Sequence, residues 1–374
     1  MILNFHLSKK ESSAIMNEIP DVYNKKFTNG IRHPHLYLWD SWSYIEHKII
    51  HLYCLAISRT KPDGTILHPN ERNDFKFHIR HFTSVDDGLS WKDEGCFFMP
   101  NKKLNHRTIW SGCVKPLSNG NKLVAYTGLE NIDSTRNFLQ NIEIAVSNDG
   151  YVVHSLNKNV LSSPLRDWNE IIKKGYYLDS KENLGSNEGE KGGPIMAWRD
   201  PFIFYDNNSE LNLFWSAKSS PKKGALARAT IKNDGDYFKI LELHPPVHVP
   251  DINDFTQLEV PKVLFDKERE LYYLIISTCN RLYENQPDSE IRKEVRLYKS
   301  DYINGPWKSM GEKILGDKNL FGLTVLKTDF DNNRLLCIAP YTEVAEEQLR
   351  LTFAPTFYIY LDTLEVEFLR EENN

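Results

Sequence analysis

The sequence predicts an all-β fold, a five-bladed β-propeller with four antiparallel strands per blade and a central funnel. Three observations predict it. Short apolar runs separated by turn signals dominate the chain, the runs fall into five groups of four, and one polar turn recurs between them. Helical periodicity is confined to segments near 8–18 and 165–174.

The first group covers about 36–98 and contains HLYLWD (35–40), IIHLYCLAI (49–57) and FKFHIRHFT (75–83). The second, about 108–155, contains KLVAYTGL (122–129) and IEIAVSND (142–149). The third, about 197–243, contains PFIFYD (201–206) and LNLFWSA (211–217). The fourth, about 256–310, contains LYYLIIST (271–278) and EVRLYKSD (294–301). The fifth, about 320–370, contains RLLCIAPY (334–341) and TFYIYLD (356–362). β-Branched and aromatic residues fill these runs, as half-buried pleated surfaces require. The whole chain, 1–374, reads as one propeller domain with a short N-terminal extension over about 1–30. The stretch 160–195 fits no blade. It is polar and glycine-bearing, which predicts a surface loop.

The recurring turn is Ser84-Val85-Asp86-Asp87-Gly88-Leu89-Ser90-Trp91, an S-x-D-x-G-x-x-W pattern of the kind seen in sialidase-type propellers. Ser147-Asn148-Asp149-Gly150 is a degenerate copy, and Ser300-Asp301 with Gly305-Pro306-Trp307 a stretched one. Short polar side chains fold back on such turns, so these carboxylates read as structural.

Composition narrows the function classes. Lys plus Arg is 46 and Asp plus Glu is 51, a net charge of −5. That is no footprint for nucleic acid or anionic lipid. Hydrophobic residues at 40% and charged residues at 26% exclude disorder, collagen and coiled coil. The N-terminus lacks a signal-peptide core and no apolar run reaches membrane-span length, so the expectation is a cytoplasmic protein with no membrane partner. The five cysteines include no CxxC spacing, which predicts reduced, mostly buried thiols and no metal site. No phosphate loop, GxSxG or HExxH is present, and no cofactor is expected.

In a propeller the innermost strands line the channel, and side chains at their starts converge. Those starts read Leu38-Trp39-Asp40-Ser41-Trp42, Ile109-Trp110-Ser111-Gly112, Ala197-Trp198-Arg199-Asp200-Pro201 and Gln257-Leu258-Glu259-Val260-Pro261. The fifth, Phe321-Gly322-Leu323-Thr324, carries no acid. A lone Asp or Glu is usually a solvated surface charge. An acid inside an apolar strand start must pair or work. Asp40, Asp200 and Glu259 repeat at one place in three blades, which favours a shared site. Glycoside hydrolysis needs such a set: a nucleophile, a protonated acid and a group that holds the sugar hydroxyls. Trp39, Trp42, Trp110 and Trp198 stand beside these acids in sequence and offer stacking faces.

These motifs resemble glycoside hydrolase family 68, the levansucrases, inulosucrases and bacterial β-fructofuranosidases, and more distantly the family 32 invertases. The resemblance runs from about 36 to 360 and rests on WDSW at 39–42, WSG at 110–112, RDP at 199–201, LE-x-P at 258–261 and TFAPTF at 352–357. It implies a five-bladed propeller and a retaining double displacement on sucrose-like β-fructosides. By motif, Asp40 resembles the nucleophile, Glu259 the acid/base and Asp200 the transition-state stabiliser. Trp39 and Trp110 resemble the fructosyl walls, Ser111 the group that hydrogen-bonds the nucleophile, and Arg199 a sugar-fixing cation. Gln257 falls at an acceptor-side position, and Arg281, in STCNRLY, resembles the arginine on the glucosyl side.

The sequence also departs from the family. Val260 stands where an arginine usually follows the acid/base, and Lys262 comes after the proline. The family's fifth-blade tyrosine has no direct counterpart, with Tyr341 as a stand-in. These changes fall on the leaving-group side, so a small sugar partner and hydrolysis or short-chain transfer are expected rather than polymer synthesis. Two other readings stay open. A family-43-like arabinosidase or xylosidase would use the same propeller and invert; a non-catalytic sugar-binding propeller would need none of the acids. A sialidase would need an arginine triad and a tyrosine nucleophile that the chain does not present. Oligomeric state is left open.

Overall fold

The computed structural model describes residues 25–100, 106–186, 193–234, 237–283, 285–312, 314–315, 319–342, 344 and 346–369. The helix expected near 8–18 lies outside the described residues. Blade one holds β1 (Lys26–Thr28), β2 (Leu36–Glu46), β3 (Ile49–Ser58), β4 (His78–Ser84) and β5 (Ser90–Phe98). Blade two holds β6 (His106–Pro116), β7 (Lys122–Glu130), β8 (Leu139–Ser147) and β9 (Ser155–Leu156). Blade three holds β10 (Arg199–Tyr205), β11 (Leu211–Ser220), β12 (Lys223–Asn233) and β13 (Phe238–Leu243). Blade four holds β14 (Gln257–Asp266), β15 (Leu271–Cys279), β16 (Lys293–Ser300) and β17 (Lys308–Ser309). Blade five holds β18 (Thr324–Asp329), β19 (Arg334–Ile338), β22 (Phe357–Tyr360) and β23 (Val366–Phe368). A two-stranded insert, β20 (Pro340–Tyr341) with β21 (Thr352–Phe353), interrupts that last blade.

Each sheet is antiparallel, and its strands follow the chain order outward from the axis. Blade one alone gains a fifth strand, because β1 pairs with β5 at the outer edge. Around the axis β2 lies against β6, β6 against β10, β10 against β14, and β18 against β2. The ring closes without a shared strand. Ser41 Oγ donates to Thr324 Oγ1 at 2.9 Å, and Ser43 Oγ to the Val325 carbonyl at 2.7 Å.

The core explains why the strands read as apolar runs rather than strict alternations. Among the described residues five apolar clusters form, one at each blade-to-blade interface, so both faces of the sheets are covered. Strand β3 is buried at every residue but its two ends. Trp198 and Trp215 meet edge to face at 5.1 Å in the interface of blades two and three. Fully burying one large apolar side chain contributes about 1.5–3 kcal/mol, so these interfaces dominate the stability.

The recurring turns sit where a structural reading puts them, between the third and fourth strands of blades one, two and four. Gly88 N–H donates to Ser84 Oγ at 2.9 Å, Ser90 N–H to Asp86 Oδ1 at 2.9 Å, and Trp91 is buried beneath. Gly150 N–H repeats the first bond to Ser147 Oγ at 2.9 Å.

The segment 160–195 differs from a solvated loop. It carries the helix α1 (Trp168–Lys173), where the periodicity pointed. Ile171, Tyr176, Leu178 and Leu184 are buried in the cluster between blades two and three, so the segment caps that interface. The cysteines are free, with Cys54, Cys113, Cys279 and Cys337 buried and Cys96 half-buried. Among the described residues no helix is long and apolar enough to cross a membrane.

Candidate active site

One backbone device places the site residues. Each of the first four innermost strands breaks register at the same depth: between Trp39 and Ser41, Trp110 and Gly112, Arg199 and Phe202, and Glu259 and Lys262. A bulge swings an extra residue out of the ladder and toward the axis. Asp40 and Ser111 are therefore within long strands rather than at their starts, while Asp200 and Glu259 are near theirs. Asp40, Asp200 and Val260 take left-handed backbone at φ 32°, 59° and 42°. Such conformations cost about 1–3 kcal/mol each in non-glycine residues and persist where surrounding structure enforces them.

The bulged side chains converge. Ser111 Oγ donates to Asp40 Oδ2 at 2.7 Å. Arg199 Nη2 donates to Glu259 Oε1 at 3.0 Å, and Arg199 Nε lies 3.8 Å from Asp200 Oδ2. Asp200 Oδ2 also accepts from Ser216 Oγ at 3.1 Å and from Val260 N–H at 3.3 Å. Gln257 accepts from Arg199 Nη2 and donates to the Arg281 carbonyl at 3.0 Å. Arg199 is fixed from behind by the Met196 carbonyl at 2.6 Å and by Gln140 Oε1 at 3.4 Å. Blade five contributes an approach instead of an acid. A Cβ on Gly322 would stand 3.4 Å from Asp40 Oδ1, and its φ of 72° suits glycine.

The electrostatics follow from crowding. Burial at the funnel floor and the Asp200 charge push the Asp40 carboxyl up to about 7, against the pull of the Ser111 hydrogen bond. Glu259 adds to the rise and Lys262 opposes it. Two buried lysines flank the acids. Lys262 donates to the Val260 carbonyl at 3.0 Å, and burial lowers it to about 8. Lys218 donates to the Thr256 carbonyl at 3.0 Å, and burial with the nearby Arg199 charge lowers it to about 7. Reading the sequence missed Lys218, Ser216 and Gln140. The signal for Lys218 was a basic residue inside the apolar run LNLFWSAK.

Of the four tryptophans, Trp110 borders the site, with the Arg199 guanidinium 5.9 Å from its ring. Trp39 is buried in the cluster between blades one and two and meets Phe77 edge to face at 4.8 Å. Trp42 and Trp198 are core. Trp42 stacks with Tyr53, and Trp198 Nε1 donates to Ser162 Oγ at 3.1 Å, away from the acids. Arg281 is beside the site through its backbone, while its Nη2 reaches outward to Asp288 at 3.1 Å. A side cavity of about 220 Å³ opens behind Gln140, between Phe138, Leu178, Asn183 and Trp198. It shares a wall with the site but contains none of the three acids. Among the described residues no cluster of His, Cys, Asp and Glu has the arrangement of a metal site.

Residues 67–228 match the glycosyl hydrolases family 32 N-terminal domain. The stretch includes Arg199 and Asp200 and lies between Asp40 and Glu259. An insoluble β-fructofuranosidase isoenzyme of Arabidopsis thaliana, CWINV3, is 24% identical over 172 residues, which is 46% of this chain and 25% of that protein. The match thus spans about a quarter of that relative's length. Among solved structures, Bacillus subtilis levansucrase in complex with oligosaccharides superposes with a TM-score of 0.61 at 15% identity, over 92% of this chain and 89% of that one. A B. megaterium levansucrase mutant also gives 0.61 at 15% identity, over 95% and 90%. A thermostable family-43 glycoside hydrolase gives 0.57 at 14% identity, over 93% and 97%, so the fold alone is shared more widely than the chemistry. Together these findings support a fructosidase-like protein: residues 67–228 are similar to the family 32 domain, and the superpositions on levansucrases show the shared propeller.

Proposed function

We propose that the protein is a retaining β-fructosidase or fructosyltransferase acting on sucrose or a related β-fructoside. The observation that carries this reading is the division of partners among the three acids. Asp40 holds a hydroxyl donor, Asp200 is held by Ser216 and a backbone amide, and Glu259 accepts from the anchored Arg199 guanidinium. The Asp40 carboxylate attacks the anomeric carbon while the glycosidic C–O bond breaks. Glu259 gives its proton to the leaving oxygen, and a fructosyl ester forms on Asp40. Glu259 then takes a proton from water or an acceptor hydroxyl, which attacks the same carbon and frees Asp40. Asp200 binds sugar hydroxyls while positive charge builds on the ring, and Trp39 and Trp110 bound the fructosyl ring. Glu259 has a side chain 24% exposed against 6% for Asp200, which suits a group that meets the leaving sugar from the mouth.

Gln257 and Arg281 stand on the leaving-group side and set the balance of hydrolysis and transfer. Changing them alters the product ratio more than the affinity for fructose. The deciding experiment is a panel of sucrose, raffinose, inulin, levan and aryl-arabinosides with products resolved by chromatography. Cleavage of β-fructosides that is lost in Asp40→Ala and Glu259→Ala, both folded, supports the reading. Full activity in either variant, or cleavage of the arabinosides alone, overturns it. The arabinoside arm tests the second reading, which the comparable superposition on the family-43 hydrolase favours.

A further inference from the structure

Strand β14 carries two oddities two residues apart: a β-branched residue in left-handed backbone and a buried lysine. Val260 has φ 42°, and Lys262, two residues on, is 5% exposed. Both follow the register break, since Glu259 pairs with Ser277 and Lys262 with Ile275. The Lys262 ammonium donates to the Val260 carbonyl at 3.0 Å, while the Val260 N–H points the other way, to Asp200 Oδ2 at 3.3 Å. The strained residue is thus gripped between a buried cation and a buried anion. One neutral carbonyl does not compensate a buried ammonium; nearby opposite charge must. The groups that face the Lys262 ammonium are Cys113 from β6, whose thiol burial holds protonated and neutral, and the carboxyls of Asp40 from β2 and Asp200 from β10, which favour its charge. Those acting on Asp40 are Asp200 from β10, Ser111 from β6, and Glu259 and Lys262 from β14. Lys262 is the one cationic side chain of β14.

We propose that Lys262 is a positioning residue that clamps the Val260 bulge and supplies an internal counter-charge that favours the ionisation of Asp40 beside Asp200. The rate readout of this inference rests on the fructosidase reading; the direct titration does not. The tests are Lys262→Met, which loses both bond and charge, Lys262→Gln, which keeps a donor for Val260 without charge, and Lys262→Arg, which keeps the charge. Two quantities are measured: the pH profile of kcat/KM on the best substrate of the panel, and the carboxyl ¹³C titration of Asp40 in protein labelled at aspartate Cγ, assigned by its loss in Asp40→Asn. In Lys262→Met and Lys262→Gln the acid limb and the Asp40 titration both move up by about one pH unit, a loss of roughly 10-fold on the acid side that narrows at high pH. Lys262→Arg restores both. Should Lys262→Met not fold, Lys262→Gln and Lys262→Arg decide alone. A uniform loss of activity with an unmoved profile and an unmoved Asp40 titration overturns the proposal and leaves Lys262 a structural lysine. If the wild type cleaves no β-fructoside, the fructosidase reading fails, and the Asp40 titration still decides the role of Lys262.

Discussion

The Arg199 guanidinium spans two of the three carboxylates: its Nη2 donates to Glu259 at 3.0 Å, and its Nε lies 3.8 Å from Asp200. The same side chain is anchored on the Met196 carbonyl at 2.6 Å. A planar fork with several donors can satisfy this geometry; a point charge cannot. Arg199→Met leaves two acids without their shared cation. It should lower kcat/KM by at least about 100-fold, or roughly 3 kcal/mol. Arg199→Lys should recover less than a tenth of that loss. Steady-state kinetics on the preferred substrate check both, and a lysine variant within threefold of wild type would refute the spanning role.

Ser111 acts on Asp40 in the opposite direction to the crowding. Its hydroxyl hydrogen bond favours the ionised carboxylate, whereas burial and Asp200 favour the protonated one. Removing the hydroxyl makes Asp40 harder to ionise. In Ser111→Ala the acid limb of kcat/KM should shift upward from its position near pH 7 by about half to one unit. The loss of activity should be several-fold greater at pH 6 than at pH 8. Equal losses at the two pH values would show that Ser111 acts only by positioning.

The same crowding makes Asp40 a burden on the folded state. Its carboxyl holds a proton up to about pH 7 when folded and only to about 3.8 when unfolded. The unfolded chain therefore releases that proton first as pH rises. The stability contributed by protonated Asp40 is complete below 3.8 and is lost as pH climbs through 7. Asp40→Asn removes the penalty and keeps the shape. It should abolish turnover while raising the melting temperature at pH 8, by a gain of about 1–3 kcal/mol that vanishes near pH 4. Thermal melts at both pH values decide it, and a variant less stable than wild type at pH 8 would contradict the buried-charge account.

Much of the architecture was legible because it is written locally. Ser84 to Trp91 and its copies mark the same corner of three blades, and each turn closes through its own side chains. The three acids stood out because they repeat at one place in three blades; a single acid in a strand can simply be paired, as Asp93 is with Arg80. What was not legible depends on which way a side chain points. Trp39 and Trp42 flank Asp40 in sequence, yet both are buried in the cluster between blades one and two, Trp39 against Phe77 and Trp42 against Tyr53. Lys218 and Lys262 look like solvent-facing residues until the neighbouring blades cover them. The polar composition of 160–195 concealed Ile171, Tyr176 and Leu178, spaced too irregularly to advertise a buried face.

Gly322 shows how the acid-free fifth blade still shapes the site. Its N–H donates to Ser277 Oγ at 3.0 Å, which ties blade five to the strand that pairs with Glu259. A methyl group here would meet Asp40 Oδ1 at 3.4 Å and force a side chain into backbone at φ 72°. The contact is tight rather than impossible, so the fold should survive. The left-handed backbone costs about 1 kcal/mol in alanine. The displaced Asp40 should cost more in rate, because small misplacements of a nucleophile carry large penalties. Gly322→Ala is therefore expected to lower the melting temperature by a few degrees at most and to cut kcat by about 10-fold or more. Kinetics and thermal melts on the same preparation separate the two effects. A variant with wild-type kcat and a large drop in melting temperature would place Gly322 in blade packing instead of beside the nucleophile.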